Sequence, residues 1–305
     1  MRIGLTGGGA SVDKVVVQAE RAEADGFSSL WYASVVTGDP PVAMAIAGRQ
    51  TERIELGTAV LQTYPCHPLL QANRAASVVD AMGRPGLTLG IGPSHRPLVE
   101  GVYGYAYDHP GRSTEEYLQI LTGLLTGEPV DVDGADWTVH TDGRSVPRSH
   151  PVSVLVSALG PRLLRVAGAV ADGTVLWMAP AKAIESHVVP TIAALQPPPA
   201  DRLPASSPGS LSPSTSTRPR PEMQQLRLRR STRAWPTTNA SSRSVARPGR
   251  PTPPSSATKR RWRSQLQSLL DAGATDIWAA PFPVGDDPKA SLRRTRDLLM
   301  ELVTP

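Results

Sequence analysis

The sequence predicts an α/β fold of the (β/α)8 TIM-barrel type, on three observations. Short apolar, β-branched runs alternate with helical patterns in a regular order, the mark of a parallel sheet with crossover helices. Seven such runs can be counted along a chain of 305 residues, which is long enough for one large barrel. Between Met178 and Asp276, where one further run is due, none is legible, so the seventh strand-helix unit is expected to be missing or disordered.

The units follow in order. "RIGLTG" (2 to 7) reads as a strand, and Ser11 can cap the helix "VDKVVVQAERAEADG", whose Val12, Val15, Ala19 and Ala22 share a face, with Gly26 ending it. "SSLWYA" (28 to 33) is the second strand, and "PPVAMAIAGRQT" starts a helix on proline, which the first turn tolerates. "IELGTAVLQ" (54 to 62) is the third strand, with "HPLLQANRAASVVDAMG" as its helix, and "GLTLGIG" (86 to 92) is the fourth. A longer polar excursion precedes the helix "TEEYLQILTGLLTG" (114 to 127) and a hairpin "VDVDGADWTVH" that turns at Asp133-Gly134. "VSVLVSALG" (152 to 160) and "TVLWMA" (174 to 179) are strands five and six, each followed by a helical pattern. The pattern returns at "RSQLQSLLDAGATDIWAAPF", a helix and a strand near 276 to 281, before the closing helix "DPKASLRRTRDLLMELV".

Composition divides the chain into barrel units at 1 to 195, an aberrant window at 196 to 263, and a last strand and helix at 264 to 305. The formal net charge is +5, and a basic balance normally points to an anionic partner. The window alone holds 14 Lys+Arg against two acids, which leaves 18 basic and 25 acidic residues elsewhere, a mildly acidic body. It also holds 13 of the 31 prolines and a single valine, Val245, so it cannot bury enough apolar area to offset the entropy of ordering it. A nucleic-acid-binding tail is disfavoured, because its arginines are scattered among prolines and only Trp235 and Trp262 could stack on bases. A linker is disfavoured by position, since it would interrupt the barrel before closure. The remaining reading is a stretch translated in a shifted frame, because GC-rich codons read out of register yield Arg, Pro, Ser, Thr and Ala.

Cys66 is the only cysteine, so no disulfide framework or cysteine-based zinc site is expected. The opening "MRIGLTGGGAS" lacks the apolar run of a signal peptide, and no stretch has the length of a membrane span. The expectation is a cytoplasmic protein with neither membrane nor nucleic acid as partner.

Candidate site residues cluster at the ends of predicted strands. Gly7-Gly8-Gly9 suggests a phosphate loop, but Val12 stands where the dinucleotide fingerprint needs glycine, and in "GIGPSH" His95 does. Both runs are left as loops whose backbone could donate hydrogen bonds. In "SALGPRLL" a strand ends at Ser157-Ala158, Gly160 permits close approach, and Pro161 opens a helix whose free N–H groups could hold a phosphate or merely make a tight turn. "GPSHRPLVEGVYGYAYDHPGR" gathers Ser94, His95, Arg96 and Tyr103 with other polar and aromatic residues, as a site loop would. There His95 could transfer a proton near neutral pH and Arg96 could hold an anionic group, or either could brace the loop. The six histidines show no metal spacing, and no metal site is expected.

Taken in order, "GTAVLQTYPCHP", "GRPGLTLGIGPSHRP", "EGVYGYAYDHPGR", "SALGPRLLRVAGAVADGT" and "LLDAGATDIWAAPF" resemble the luciferase-like monooxygenase family, in its branch that uses the deazaflavin coenzyme F420. The likeness runs from Met1 to about Leu195 and resumes near Ser264. It implies a barrel that binds the coenzyme at the C-terminal ends of its strands. A non-prolyl cis peptide is implied at Ala59-Val60, with Thr58, Ala59 and Val60 behind the ring. Ser94 and His95 would contact ring and tail, and Ser157, Ala158, Gly160 and Pro161 the phosphate. Hydride transfer at the deazaflavin is the implied chemistry, with His95 as proton donor and Tyr32, Ser34, Arg96 and Tyr103 lining the substrate side. FMN is the alternative cofactor. The expected partner is a small-molecule substrate, and the assembly could be a homodimer. A barrel without its seventh strand would have open edges, so a damaged, inactive member is also weighed.

Overall fold

A computed structural model describes residues 1–8, 11–34, 38–195, 232–234, 256–283 and 286–303. The first half alternates strand and helix as the pattern demands: β1 Ile3–Thr6, α1 Val12–Ala24, β2 Ser29–Tyr32, α2 Pro40–Arg49, β3 Glu55–Thr58, β4 Leu61–Gln62, α3 Pro68–Met82 and β5 Leu87–Gly92. After it come α4 Arg96–Gly101, α5 Pro110–Leu125, the hairpin strands β6 Asp131–Asp133 and β7 Thr138–His140, then β8 Val152–Ser157, α6 Pro161–Ala169 and β9 Gly173–Val175. A helical stretch follows, α7 Ala181–Ala183 and α8 Val189–Ala193 with a π-helical turn Ile184–Val188 between them. Among the described residues beyond 195 lie β10 Thr232–Ala234, α9 Ser256–Asp271, β11 Asp276–Ala279 and α10 Pro288–Val303.

Local chemistry sets the boundaries. The Ser11 side chain accepts from the Lys14 N–H to start α1, and Val15, Ala19 and Ala22 form its buried stripe. Gly26, at φ 83°, lets the chain reverse out of α1, a conformation other residues adopt at a cost. His67 caps α3 by accepting from the Leu69 N–H. The predicted hairpin is present, with Asp131 opposite His140 and Asp133 opposite Thr138. Two predicted elements are cut differently: the sixth strand ends at Val175, and α5 begins at Pro110, where proline presets the first turn.

All strands but the hairpin pair join one sheet with parallel neighbours, in the order β3-β2-β1-β11-β10-β9-β8-β5-β4. Because β3 also pairs with β5, the order closes on itself, with β3 and β4 as two pieces of one strand. The result is a closed barrel with helices outside. The sequence predicts a seventh strand-helix unit that is missing or disordered. Instead Thr232 stands opposite Thr174 of β9, and Arg233 and Ala234 stand opposite Asp276 and Ile277 of β11. Three residues suffice here because backbone groups make a ladder and need no apolar pattern. The remainder of the 196 to 263 window, up to the start of α9, lies outside the described residues.

Side chains of alternate strand residues separate two cores. The larger one lies between sheet and helices and includes Ile3, Leu5, Leu30, Leu56, Val154, Val156 and Ile277. The smaller one fills the barrel with Trp31, Leu155, Val175 and Trp278. Below it is a polar layer: Arg2 bonds Asp276 at 2.7 Å and Glu55 at 3.4 Å, and Thr88 donates to Glu55. Burial disfavours the Arg2 charge, yet Asp276 and Glu55 outweigh it and raise its pKa. The interior is therefore plugged at the N-terminal end and leads upward to the strand C-termini, the end where barrel enzymes carry their sites.

Candidate cofactor and substrate site

One strand is interrupted at the mouth. Gly57 pairs with Thr88 and Leu61 with Ile91, so four residue steps on β3 and β4 face three on β5. The extra residue makes a β-bulge at Ala59 and Val60, whose peptide bond is cis, as the resemblance implies. Thr58 bridges the broken ladder, since its hydroxyl donates to the Gly90 carbonyl at 2.9 Å and accepts from the Gly90 N–H at 2.9 Å. The glycines of β5 let the bulge lie flat. A Cβ on Gly90 would stand 2.0 Å from the Thr58 carbonyl oxygen, and one on Gly92 would stand 3.0 Å from Val60 Cγ2 and 3.3 Å from Ser157 Cβ. Gly90 and Gly92 thereby make room for the neighbouring strands.

The first glycine run also makes room for a neighbour. A Cβ on Gly7 would stand 2.3 Å from the Tyr32 ring, and the Gly8 N–H donates to Gln18 of α1 at 3.1 Å. Tyr32 was expected to line the substrate side. It is buried against α1 with its hydroxyl 3.4 Å from Gln18, and burial raises its pKa. Its neighbour Trp31 enters the barrel in its place. Gly57 accommodates that ring, which a Cβ would meet at 2.2 Å.

Trp31 and Trp278 line the interior beside the bulge, and Trp177 stands over them at the rim. The Trp31 and Trp278 rings lie 6.2 Å apart and Trp177 and Trp278 lie 5.9 Å apart, tilted as aromatic pairs prefer. Trp278 Nε1 donates to Thr6 at 2.8 Å and Trp31 Nε1 to Ser29 at 2.8 Å, so these rings are fixed. Ala59, Val60 and Ala280 pack against this cluster, while Trp177 and Met178 remain about half exposed at the rim. Sequence reasoning missed the tryptophans, although "SSLWYA", "TVLWMA" and "DIWAA" each carry one near a strand end.

Beyond the bulge the ends of β5 and β8 come together. Ser94 holds a left-handed φ of 66°, and its carbonyl accepts from Tyr107 at 2.8 Å. Non-glycine residues held in that region accompany functional sites, and Met178, at φ 58°, is a second case on the same rim. The His95 carbonyl begins α4 by accepting from the Leu98 and Val99 N–H groups, leaving its imidazole exposed. Arg96 braces the loop: it pairs with Glu100, donates to the Tyr107 carbonyl at 2.7 Å, and lies 5.5 Å over the Tyr107 ring. Ser157 closes β8 beside Gly92, and the Ala158 carbonyl accepts from Thr174. Gly160 precedes α6 with open space where a Cβ would be, and Pro161 opens the helix, so the first-turn N–H groups face outward.

The structure thus brings Ala59, Val60, Ser94, His95, Ser157, Ala158, Gly160 and Pro161 to the ends of three successive barrel strands. Thr58 sits behind them, fully buried. Ser34 donates its N–H to the Val60 carbonyl at 3.2 Å, and with Tyr103 it lines a side pocket of about 180 Å³. Tyr103 reaches there by donating to Gln62 at 2.7 Å. Cys66 is on the same wall, and burial pushes its thiol up despite nearby Arg74, so it stays protonated. Among the described residues no cluster of His, Cys, Asp and Glu could hold a metal ion, and no helix is long and apolar enough to cross a membrane.

A closed parallel barrel with a bulged third strand, a glycine-lined fourth and a helix N-terminus after the fifth defines a (β/α)8 barrel with a ligand-sized mouth at its strand C-termini. The sequence profile of luciferase-like monooxygenases matches residues 2–298, and the chain belongs to that family. It is 27% identical over 164 residues to a 5,10-methylenetetrahydromethanopterin reductase of Methanolobus tindarius, covering 53% of this chain and 49% of the relative. The chain spans about half the length of the curated relatives it matches. Among solved structures, the coenzyme F420 dependent tetrahydromethanopterin reductase from Methanopyrus kandleri superposes with a TM-score of 0.65 at 15% identity, over 99% of each chain. A type II Baeyer–Villiger monooxygenase of Pseudomonas putida in complex with FMN superposes with a TM-score of 0.54 at 18% identity, over 65% of this chain and 64% of its own. The barrel is therefore one on which both deazaflavin and flavin enzymes are built.

Proposed function

We propose that this chain is an oxidoreductase that transfers a hydride between reduced coenzyme F420 and a small organic substrate. The observation that carries the reading is the flat apolar seat formed where Ala59 and Val60 lie down on Gly90 and Gly92 beside Ser157. A planar tricyclic ring fits such a seat, and α6, with Gly160 open to approach, suits a phosphate tail through its free N–H groups. Ala59 and Val60 would back the ring, Ser94 and His95 its edge, and Ser157, Ala158, Gly160 and Pro161 the tail. When bound, the deazaflavin supplies the hydride chemistry, and the protein's part is orientation and exclusion of water. His95, whose imidazole is exposed at the mouth, would hold the proton that the substrate takes up. Likeness to an FMN-bound monooxygenase favours a second reading, in which the same seat takes FMN.

Titrating the purified chain with F420 and with FMN, followed by cofactor fluorescence, tests both. Saturable quenching of F420 is expected; quenching of FMN alone would replace the first reading by the second, and quenching of neither would sink both. His95→Asn should lower kcat by about 10²-fold, the usual worth of a general acid.

A further inference from the structure

The Ser94–His95 peptide stands at the mouth beyond the end of the sheet. Pairing of β5 with β8 stops at Ile91 and pairing with β4 stops at Gly92, so the next residues must be held by other means. Ser94 sits at φ 66°, a left-handed conformation that a non-glycine residue keeps only where its surroundings impose it.

Tyr107 supplies that constraint from the far end of the same loop. Its hydroxyl donates to the Ser94 carbonyl at 2.8 Å. That carbonyl and the His95 N–H belong to one rigid peptide plane, so a single hydrogen bond fixes the backbone of both residues. Downstream, the His95 carbonyl accepts from the Leu98 and Val99 N–H groups at 3.0 Å each, so His95 is anchored on both sides and its imidazole is left exposed. The phenol is itself held: Tyr64, in the turn between β4 and α3, has its ring 5.4 Å away, and the Arg96 guanidinium lies 5.5 Å over the Tyr107 ring. Arg96 also donates to the Tyr107 carbonyl at 2.7 Å. Partial burial raises the Tyr107 pKa against the opposing effect of Arg96, so the hydroxyl remains a donor at and above neutral pH. Packing of the loop needs the ring; it does not need a hydroxyl aimed at that carbonyl.

We infer that Tyr107 is a positioning residue, whose hydroxyl holds the Ser94–His95 peptide in the left-handed turn that presents both residues to the ring edge of the bound cofactor. The effect on the cofactor rests on the oxidoreductase reading, whereas the hold on the peptide does not.

Tyr107→Phe tests this, because it removes the hydroxyl and keeps the ring between Tyr64 and Arg96. The chain has six histidines, so 15N-histidine labelling gives a small set of backbone amide signals, and the one lost in His95→Asn is that of His95. In the cofactor-free protein Tyr107→Phe should shift and broaden the His95 amide, whose nitrogen is bonded to the carbonyl that loses its donor. The amides of His140, His150 and His187 should stay in place, and the melting temperature should remain close to that of wild type. Tyr64→Leu, which frees one face of the phenol, should move the same amide in the same direction and replaces the first variant if that does not fold. F420 should bind Tyr107→Phe about tenfold more weakly than wild type, since losing one hydrogen bond depopulates the turn that is competent to bind. An unmoved His95 amide, or a shift of all the histidine amides together, overturns the inference, and so does an unchanged affinity where the wild type binds F420. A wild type that binds no F420 rejects the functional reading, and the His95 amide then decides alone whether Tyr107 holds the turn.

Discussion

Gly90 shows how one residue positions the whole mouth. Its hydrogen atoms face the Thr58 carbonyl, and its N–H and carbonyl both engage the Thr58 hydroxyl, so strand and bulge are locked at one point. In Gly90→Ala the added Cβ meets backbone at 2.0 Å, which no side-chain rotation relieves. The variant should lose about 1–3 kcal/mol, the cost of overpacking a rigid core, and F420 affinity should fall with it. Urea midpoints and the fluorescence titration measure both, and an unperturbed midpoint would show that the bulge is not held by this contact. The glycines were legible in sequence, but their purpose was not, because it depends on which strand lies opposite. Tyr32 failed for a related reason: strand side chains alternate, and a shift of one residue exchanges the inward face, here Trp31, for the outward one.

At the level of elements, α1 and the start of β3 are joined through a single carboxylate. Glu23 accepts the N–H groups of Glu52, Arg53 and Ile54 at 3.2, 2.6 and 2.7 Å, groups that no helix or strand satisfies. Partial burial opposes the charge, but these three donors outweigh it and hold the carboxyl below its ordinary value. A lowered folded-state pKa means that its contribution is complete above the unfolded value, ~4.3, and is lost as pH falls through the folded one. Glu23→Gln should therefore cost about 1 kcal/mol at pH 7 and flatten the acid limb of stability against pH below ~4.3. An acid limb identical to wild type would remove Glu23 from that role. Helices and apolar strands of this kind were readable because period and capping agree, as at Ser11 in α1 and His67 in α3. The short helix α4 was not, since "RPLVEG" is too brief to show a period.

For the whole molecule the question is closure. Seven strand positions carry their own hydrophobic signal, and the seventh in order, Thr232–Ala234, carries none, which is why the sequence predicted a gap where the structure has a ladder. Composition reports whether a segment can bury side chains; it does not report whether its backbone can fill a vacancy between two strands that already present donors and acceptors. Closure matters to the site, because Val175 and Trp278, on the strands flanking β10, belong to the interior core that supports the seat. Arg233 is the residue opposite both Val175 and Asp276. Proline there removes a ladder donor and does not fit between two paired neighbours, a change worth about 3 kcal/mol or more in a regular element. If β10 closes the barrel, Arg233→Pro should lower the urea midpoint sharply and weaken F420 binding in proportion, while Arg233→Ala, which keeps the N–H, should do neither. Should the proline variant match the alanine variant in both measurements, the sheet does not depend on this strand, and the support for the seat must come from β9 and β11 alone.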